Sequence, residues 1–378
     1  MIILGIETSC DETAAAIVKN GVEILSSSVA SSEEIHKKHG GIIPEKAARE
    51  QLKSIIPVIK ETLLKANLSF PKGVFEIDAI AVTVGPGLIG SLLVGVETAK
   101  TLAWLWKKPI IPVNHLIAHF YGNFLNNKTM EQLSNETIFP AVCLIVSGGH
   151  TELVLMKDHG KFLWIGGTRD DAAGECFDKT ARLLGLGYPG GPAISAKAAI
   201  ANETMKQLSN ETIKLPRPMI NDDSFDFSFS GLKTAVLNRI KNTKLTNPLI
   251  TNQLAFEIQE AIADVLVKKT LKAAEKFNVK SILIGGGVAA NDRLREKLKL
   301  DTRCPSFGSG NSTRLIQPCS KPDPSAGRQM PDARLFVPDK KFCTDNAAMI
   351  ASAAYFNYHP VPWQKIKADP GLEITQIA

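Results

Sequence analysis

Residues 2–18 read Ile2-Ile3-Leu4-Gly5-Ile6-Glu7-Thr8-Ser9-Cys10-Asp11-Glu12-Thr13-Ala14-Ala15-Ala16-Ile17-Val18, and this stretch decides the fold. An apolar run, a polar turn and a second apolar run spell strand, turn, strand. The device recurs at Ala141-Val142-Cys143-Leu144-Ile145-Val146, then Ser147-Gly148-Gly149-His150-Thr151, then Glu152-Leu153-Val154-Leu155-Met156. Small and hydroxylated residues between strands give a tight hairpin whose backbone N–H groups can cradle phosphate. Steric demand alone also fills turns with Gly and Ser. Two such hairpins, one opening at Ile2 and one at Ala141, point to a duplicated lobe.

The segments around them fit α/β lobes. Residues 79–84 read as a buried strand broken by Gly85-Pro86-Gly87. Residues 91–105 have helical spacing, and 109–113 read as a further strand. Residues 281–284 read as a strand running into Gly285-Gly286-Gly287-Val288-Ala289-Ala290-Asn291, followed by a helix from Asp292. A glycine run there lets a ligand approach the backbone, and the helix N-terminus favours negative charge. A plain β-α turn has the same look. Residues 176–185 form a helix with an acidic start and a glycine stop, followed by the rigid turn Tyr188-Pro189-Gly190-Gly191-Pro192. Asp178 in that helix is either a solvated position or a carboxylate for ribose or base.

His115-Leu116-Ile117-Ala118-His119 follows the strand at 109–113. Residues four apart share a helix face, so both imidazoles can reach one metal ion. Such a pair also occurs as ordinary helix residues. The protease form of this motif places a glutamate after the first histidine as general base; here the position is Leu116.

A chain of 378 residues suits two lobes. Its 44% hydrophobic and 22% charged content is that of a soluble globular protein. A net charge of +6 permits an anionic partner without requiring one. Cysteines at 10, 143, 176, 304, 319 and 343 form no C-x-x-C pair, so no zinc ribbon or dense disulfide framework is expected. The opening Met1-Ile2-Ile3-Leu4-Gly5 lacks the basic segment of a signal peptide, and no run approaches the ~18 apolar residues of a membrane span. A cytoplasmic protein, not a membrane one, is expected. The sequons at Asn127, Asn135, Asn202, Asn210 and Asn311 carry no weight in that setting. Residues 127–138 and 202–213 are copies that differ only at Lys128/Glu203 and Glu131/Lys206. Such polar copies read as surface insertions. Residues 301–332, rich in Ser, Pro, Gly and Arg, read as an external loop.

Seven motifs occur in order: Gly5-Ile6-Glu7-Thr8-Ser9-Cys10-Asp11-Glu12-Thr13, His115-x-x-x-His119, Val146-Ser147-Gly148-Gly149-His150-Thr151, Phe177-Asp178-Lys179-Thr180, Pro189-Gly190-Gly191-Pro192, Phe227-Ser228-Phe229-Ser230-Gly231-Leu232-Lys233-Thr234 and Cys343-Thr344-Asp345-Asn346. Together they resemble the TsaD family, bacterial type, the threonylcarbamoyl transferases acting on tRNA. The resemblance covers nearly the whole chain outside the two copies and the loop after Asp301. It implies an α/β ASKHA (actin-like ATPase) fold, with two duplicated RNase H-like lobes around a nucleotide cleft. The lobes are expected at residues 1–114 and 115–344, the second carrying insertions at 127–138, 202–213 and 301–332. A C-terminal helix over about 345–378 is expected to pack back on the first.

The resemblance also implies the reaction: threonylcarbamoyl-AMP gives its threonylcarbamoyl group to N6 of adenosine 37 in tRNAs reading ANN codons, releasing AMP. It implies Asp345 as third metal ligand beside His115 and His119. Such a set suits one divalent ion per chain, Fe(II) or Zn(II), and the resemblance favours iron. Ile145, Val146, Ser147, Gly148 and Gly149 match the family's substrate hairpin, Asp178 and Gly191 its ribose side, and Asn291 its adenine side. Asp11 and Glu12 are candidates to orient or deprotonate the attacking amine; an acidic turn of this kind is also a solvated cap. Many relatives carry a carboxylate where this chain has Ser195. The implied partners are tRNA, a TsaB-like paralogue and a TsaE-like P-loop ATPase. The rival readings are an actin-like small-molecule kinase, a metallopeptidase and a non-catalytic scaffold.

Overall fold

The first hairpin forms where the sequence places it. In a computed structural model, which describes residues 1–32, 34, 36, 41–68, 76–127, 130, 132–205, 213–241, 248–301 and 333–375, β1 (Ile2–Glu7) pairs antiparallel with β2 (Glu12–Lys19), Gly5 opposite Ala16. β3 (Glu23–Ser31) extends the sheet antiparallel beside β2. On the other side of β1 lie β4 (Ala79–Gly85) and β5 (Ile110–Asn114), both parallel, giving the order β3-β2-β1-β4-β5. Helices α1 (Pro44–Lys65), α2 (Ile89–Trp106) and α3 (His115–Tyr121) accompany this sheet.

The second hairpin starts the same pattern again. β6 (Ala141–Val146) pairs antiparallel with β7 (Thr151–Asp158), Ala141 opposite Met156. β8 (Lys161–Gly167), β9 (Ser281–Gly285) and β10 (Arg334–Phe336) complete a sheet of order β10-β9-β6-β7-β8, with β6, β9 and β10 parallel. Each sheet thus has a first strand flanked by its hairpin partner on one side and two parallel strands on the other. That is the duplicated RNase H-like topology of the actin-like fold. The second unit's helices are α4 (Ala173–Leu183), α5 (Gly190–Met205), α6 (Ser230–Lys241), α7 (Pro248–Lys276) and α8 (Asp292–Asp301).

Contacts divide the chain into Met1–Asn135, Lys157–Phe162 and Pro338–Ala378, and into Glu136–Met156 with Leu163–Val337. The boundary falls at 135, not 114, because α3 packs with α9 (Ala347–Phe356), which itself lies on β1 and β2. His159 joins the first unit by stacking on Phe356, ring centroids 4.5 Å apart. The C-terminal helix is shorter than expected: α9 ends at Phe356, and Pro360, Pro362 and Pro370 follow. A helix interior does not accept that proline spacing. Residues 302–332 and most of the second copy lie outside the described residues. The first copy lies at the surface, with Gln132, Ser134, Asn135, Glu136 and Thr137 exposed, and is anchored by buried Met130 and Ile138, whose carbonyl accepts from Ser281 Oγ at 2.6 Å.

Strand alternation sorts the first unit's faces. Leu4 and Ile6 of β1, with Ile80, Val82 and Val84 of β4, join a core with Ile55, Ile59, Val96 and Ala99 of α1 and α2. The alternate residues Gly5 and Glu7 therefore point to the other face. A Cβ at Gly5 would collide with Ala347 O, so only glycine lets the start of α9 lie this close to β1.

Candidate functional site

In the first unit the site is built where β5 turns directly into α3. Asn114 caps the helix: its Oδ1 accepts from Leu116 N at 3.0 Å and Ile117 N at 3.3 Å. This fixes the first turn, so His115 and His119 leave α3 on one face, both buried. Asp345 precedes Asn346, the cap of α9, whose Oδ1 accepts from Met349 N at 3.0 Å. Asp345 Oδ1 lies 3.5 Å from His115 Nε2 and 3.4 Å from His119 Nε2. The ligand atoms of all three residues fall within 4.8 Å of one another.

The spacing of Asp345 from each imidazole fits a shared metal ion. Ligands about 2.0–2.2 Å from one ion in a tetrahedral arrangement stand about 3.3–3.6 Å apart. At 3.4 and 3.5 Å these pairs are too long for good hydrogen bonds and well spaced for shared coordination. His119 Nδ1 is buried with no hydrogen-bond partner among the described residues. Burial holds His119 below its ordinary pKa, giving the neutral ring that ligation requires. His115 behaves oppositely. Burial opposes its cation, yet the charges of Glu7 and Asp345, and the hydrogen bond to Glu7, raise it to about 9. The field at this position favours positive charge, which a metal ion would supply.

Glu7, fully buried, carries the geometry around His115. Its Oε2 lies 3.1 Å from His115 Nδ1 and accepts from Thr83 Oγ1 at 2.5 Å; its Oε1 accepts from Ser9 N at 2.5 Å. The Thr8–Glu12 turn is held from below. Gln51 Nε2 of α1 donates to Cys10 O at 3.0 Å and Glu12 O at 2.9 Å, and Ser91 Oγ of α2 donates to Cys10 O at 3.0 Å. Burial, then the charges of Asp345 and Asp11, push the Glu12 carboxyl up to about 10. Burial, followed by Asp345, Asp11 and Glu12, raises the Cys10 thiol. Sequence reasoning quoted Glu7 in its motif without giving it a role, and missed Thr83 and Gln51. An acid ending an otherwise apolar strand was the legible signal for Glu7; nothing local marks the other two.

In the second unit, Ser147, Gly148, Gly149 and Asn291 follow the carboxyl ends of β6 and β9, where open α/β sheets bind ligands, and Asp178 and Gly191 lie on α4 and α5. Ile145 and Val146 are fully buried in β6, so any contact they make with a ligand is through the backbone. Ser147 N donates to His150 O at 2.8 Å, and Gly174 N at the start of α4 donates to Ser147 O at 3.1 Å. A Cβ at Gly148, Gly149, Gly191 or Gly287 would meet nothing within 4 Å among the described residues. Packing does not demand these glycines, and the space they leave suits a ligand. Gly286 differs: its φ is +90°, and a Cβ there would strike Val146 O.

Asp178 accepts from Gly190 N at 2.6 Å, which ties α4 to the Gly190-Gly191 turn, and burial raises its carboxyl. Asn291 is busier than its sequence position suggests. Its Oδ1 caps α8 by accepting from Leu294 N at 3.0 Å. Its Nδ2 donates to Ser195 Oγ at 2.9 Å and Gln259 Oε1 at 3.0 Å, and Ser195 Oγ donates to Gln259 Oε1 at 2.8 Å. With both amide hydrogens engaged, a contact from Asn291 to a base uses the second lone pair of Oδ1 or displaces one of these bonds.

The family described as TsaD: tRNA N6-adenosine threonylcarbamoyltransferase matches residues 23–312. A Bacillus cereus (strain ATCC 14579) protein named tRNA N6-adenosine threonylcarbamoyltransferase is 46% identical over 376 residues, 99% of this chain and 96% of its own. A Geobacillus thermodenitrificans protein of the same name is 45% identical over 380 residues, 99% and 97% respectively. One from Syntrophomonas wolfei is 46% identical over 357 residues, 94% and 92% respectively.

Proposed function

From the premise that this chain belongs to the TsaD family of tRNA N6-adenosine threonylcarbamoyltransferases, and is therefore a tRNA-modifying transferase, we propose the following reaction. N6 of adenosine 37, in tRNAs reading ANN codons, attacks the carbamoyl carbon of threonylcarbamoyl-AMP. The new C–N bond forms, the C–O bond to the phosphate breaks, AMP leaves and N6 gives up one proton.

The observation that carries this reading is the convergence of His115, His119 and Asp345 in a chain whose residue 116 is leucine. A small-molecule kinase on this fold has no need of that ligand set, and a metallopeptidase needs the base that Leu116 replaces. A non-catalytic scaffold has no use for ligands kept buried and spaced for an ion. His115, His119 and Asp345 would hold a divalent ion, Fe(II) by family resemblance or Zn(II), which would supply Lewis-acid polarisation and positive charge when bound.

The chain's own residues do the rest. The backbone of Ser147, Gly148 and Gly149 binds the phosphate and carbamoyl end, while Asp178, Gly191 and Asn291 take the nucleoside. Asp11 orients the attacking amine and accepts its proton. Glu12, whose carboxyl burial and the charges of Asp345 and Asp11 push up, supports Asp11 by hydrogen bonding.

The family resemblance supplies a TsaB-like paralogue and a TsaE-like ATPase as partners. For the paralogue, α1 and α2 pack together and carry exposed apolar residues at i, i+4: Leu52 (68%) with Ile56, and Ile89 with Leu93. Paired stripes of this kind mark a helical docking face. A cytoplasmic location follows from a tRNA substrate, and among the described residues no helix is long and apolar enough to cross a membrane. The test is nucleoside mass spectrometry of tRNA after incubation with this protein, threonylcarbamoyl-AMP and both partners. Threonylcarbamoyladenosine is expected; its absence, with partners active beside a known relative, ends the proposal.

A further inference from the structure

Glu7 ends β1, a strand that otherwise reads Ile-Ile-Leu-Gly-Ile, and its side chain is fully buried. An ionised carboxylate in such a place is costly unless its lone pairs are all engaged. They are engaged in a directed way. Ser9 N takes Oε1, and Thr83 Oγ1 takes Oε2, both at 2.5 Å. These two donors hold the carboxylate plane so that Oε2 also faces His115 Nδ1 at 3.1 Å. Ser9 Oγ lies near the same nitrogen at 3.3 Å. A buried apolar side chain would fill the volume without any desolvation cost, so packing alone does not account for an acid here.

We infer that Glu7, held by Thr83, is the positioning residue of the metal centre. It accepts the Nδ1 proton of His115 and thereby fixes the tautomer whose Nε2 lone pair points at the space shared with His119 Nε2 and Asp345 Oδ1. His119 has no such support, since its Nδ1 is unpartnered among the described residues. His115 is therefore the fixed ligand and His119 the adaptable one. This inference rests on the reading of the three residues as a metal site.

The test is Co(II) binding to the metal-free protein, by chelator competition and by the visible absorption of the bound ion. In Glu7→Gln the amide oxygen keeps the Ser9 bond, and the amide N–H turns to His115 Nδ1. The ring proton then moves to Nε2 and blocks ligation. The expected loss of affinity is about 10- to 100-fold. Thr83→Val removes the orienting hydroxyl and is expected to weaken binding in the same direction, while Thr83→Ser restores it. Long-range ¹⁵N–¹H spectra of metal-free protein, recorded above pH 9 so that the ring is neutral, should show His115 change tautomer in Glu7→Gln, a readout that a packing defect does not move. Should Glu7→Gln fail to fold, the Thr83 pair decides. Unchanged Co(II) affinity in Glu7→Gln, or in Thr83→Val, with an unchanged absorption spectrum overturns the inference alone. A wild-type protein that takes up no Co(II) overturns the metal site and this inference with it.

Discussion

Replacing Gly5 by alanine should damage the metal centre although Gly5 touches none of its ligands. The added Cβ would land on Ala347 O, with Ala351 N at 3.0 Å and Ala351 Cβ at 3.1 Å. Backbone on both sides leaves no flexible side chain to yield, so α9 and β1 must separate by on the order of 1 Å, at about 1–3 kcal/mol of overpacking strain. Asp345 stands two residues before Ala347, and Glu7 two residues after Gly5, so the displacement falls between ligands on different elements. Separations of 3.4 and 3.5 Å between Asp345 Oδ1 and the two Nε2 atoms then open, whereas metal sites tolerate about ±0.2 Å. If the metal restores the tight geometry, it must do so against that strain, and about 1–3 kcal/mol weakens binding about 5- to 150-fold. The assay is Zn(II) or Co(II) competition with a chelator, alongside thermal melting. Ile3→Val, on the same strand, is the comparison: it should cost about 0.5–1.5 kcal/mol of stability and leave metal affinity unchanged. Gly5→Ala with wild-type metal affinity would refute the reasoning, because it would show that the approach of α9 to β1 does not set the position of Asp345.

His119→Ala and Asp345→Ala should each remove the metal that wild-type protein carries at about one ion per chain, read by elemental analysis; retention in both contradicts the ligand set. Asn291→Asp keeps the cap on Leu294 N but loses both donors, to Ser195 and Gln259, and should weaken AMP binding ten- to a hundredfold by calorimetry with metal content unchanged. Burial lowers the His159 ring to about 4, against a pull upward from Asp158. Between that value and its ordinary value near 6.5 the unfolded chain binds more protons, so stability is full above the window and falls as pH drops through it. His159→Phe should remove about 2 kcal/mol of that acid loss, allowing for partial exposure, in denaturant titrations at pH 7 and pH 4.5.

The sequence by itself determined what depends on neighbours along the chain. Alternation and turn chemistry located both hairpins, and the strand-glycine-helix run located the glycine turn between β9 and α8. Spacing of four put His115 and His119 on one helix face, and the order of seven motifs named the family. Tertiary structure decided what depends on residues far apart. Asp345 meets His115 only because α9 lies against β1 across Gly5, and no local pattern measures that approach. Thr83 looked like one polar residue in a buried strand until β4 paired beside β1 and turned its hydroxyl to Glu7. Ser195 and Asn291 were separate observations until α5, α7 and α8 joined them through Gln259. Burial likewise belongs to the folded chain: it raises the Glu12 carboxyl, which residue type alone does not foretell. It also drew Met130 and Ile138 of a polar copy into packed surroundings. Periodicity fixes which face a side chain takes, but only the packed fold fixes what stands opposite it.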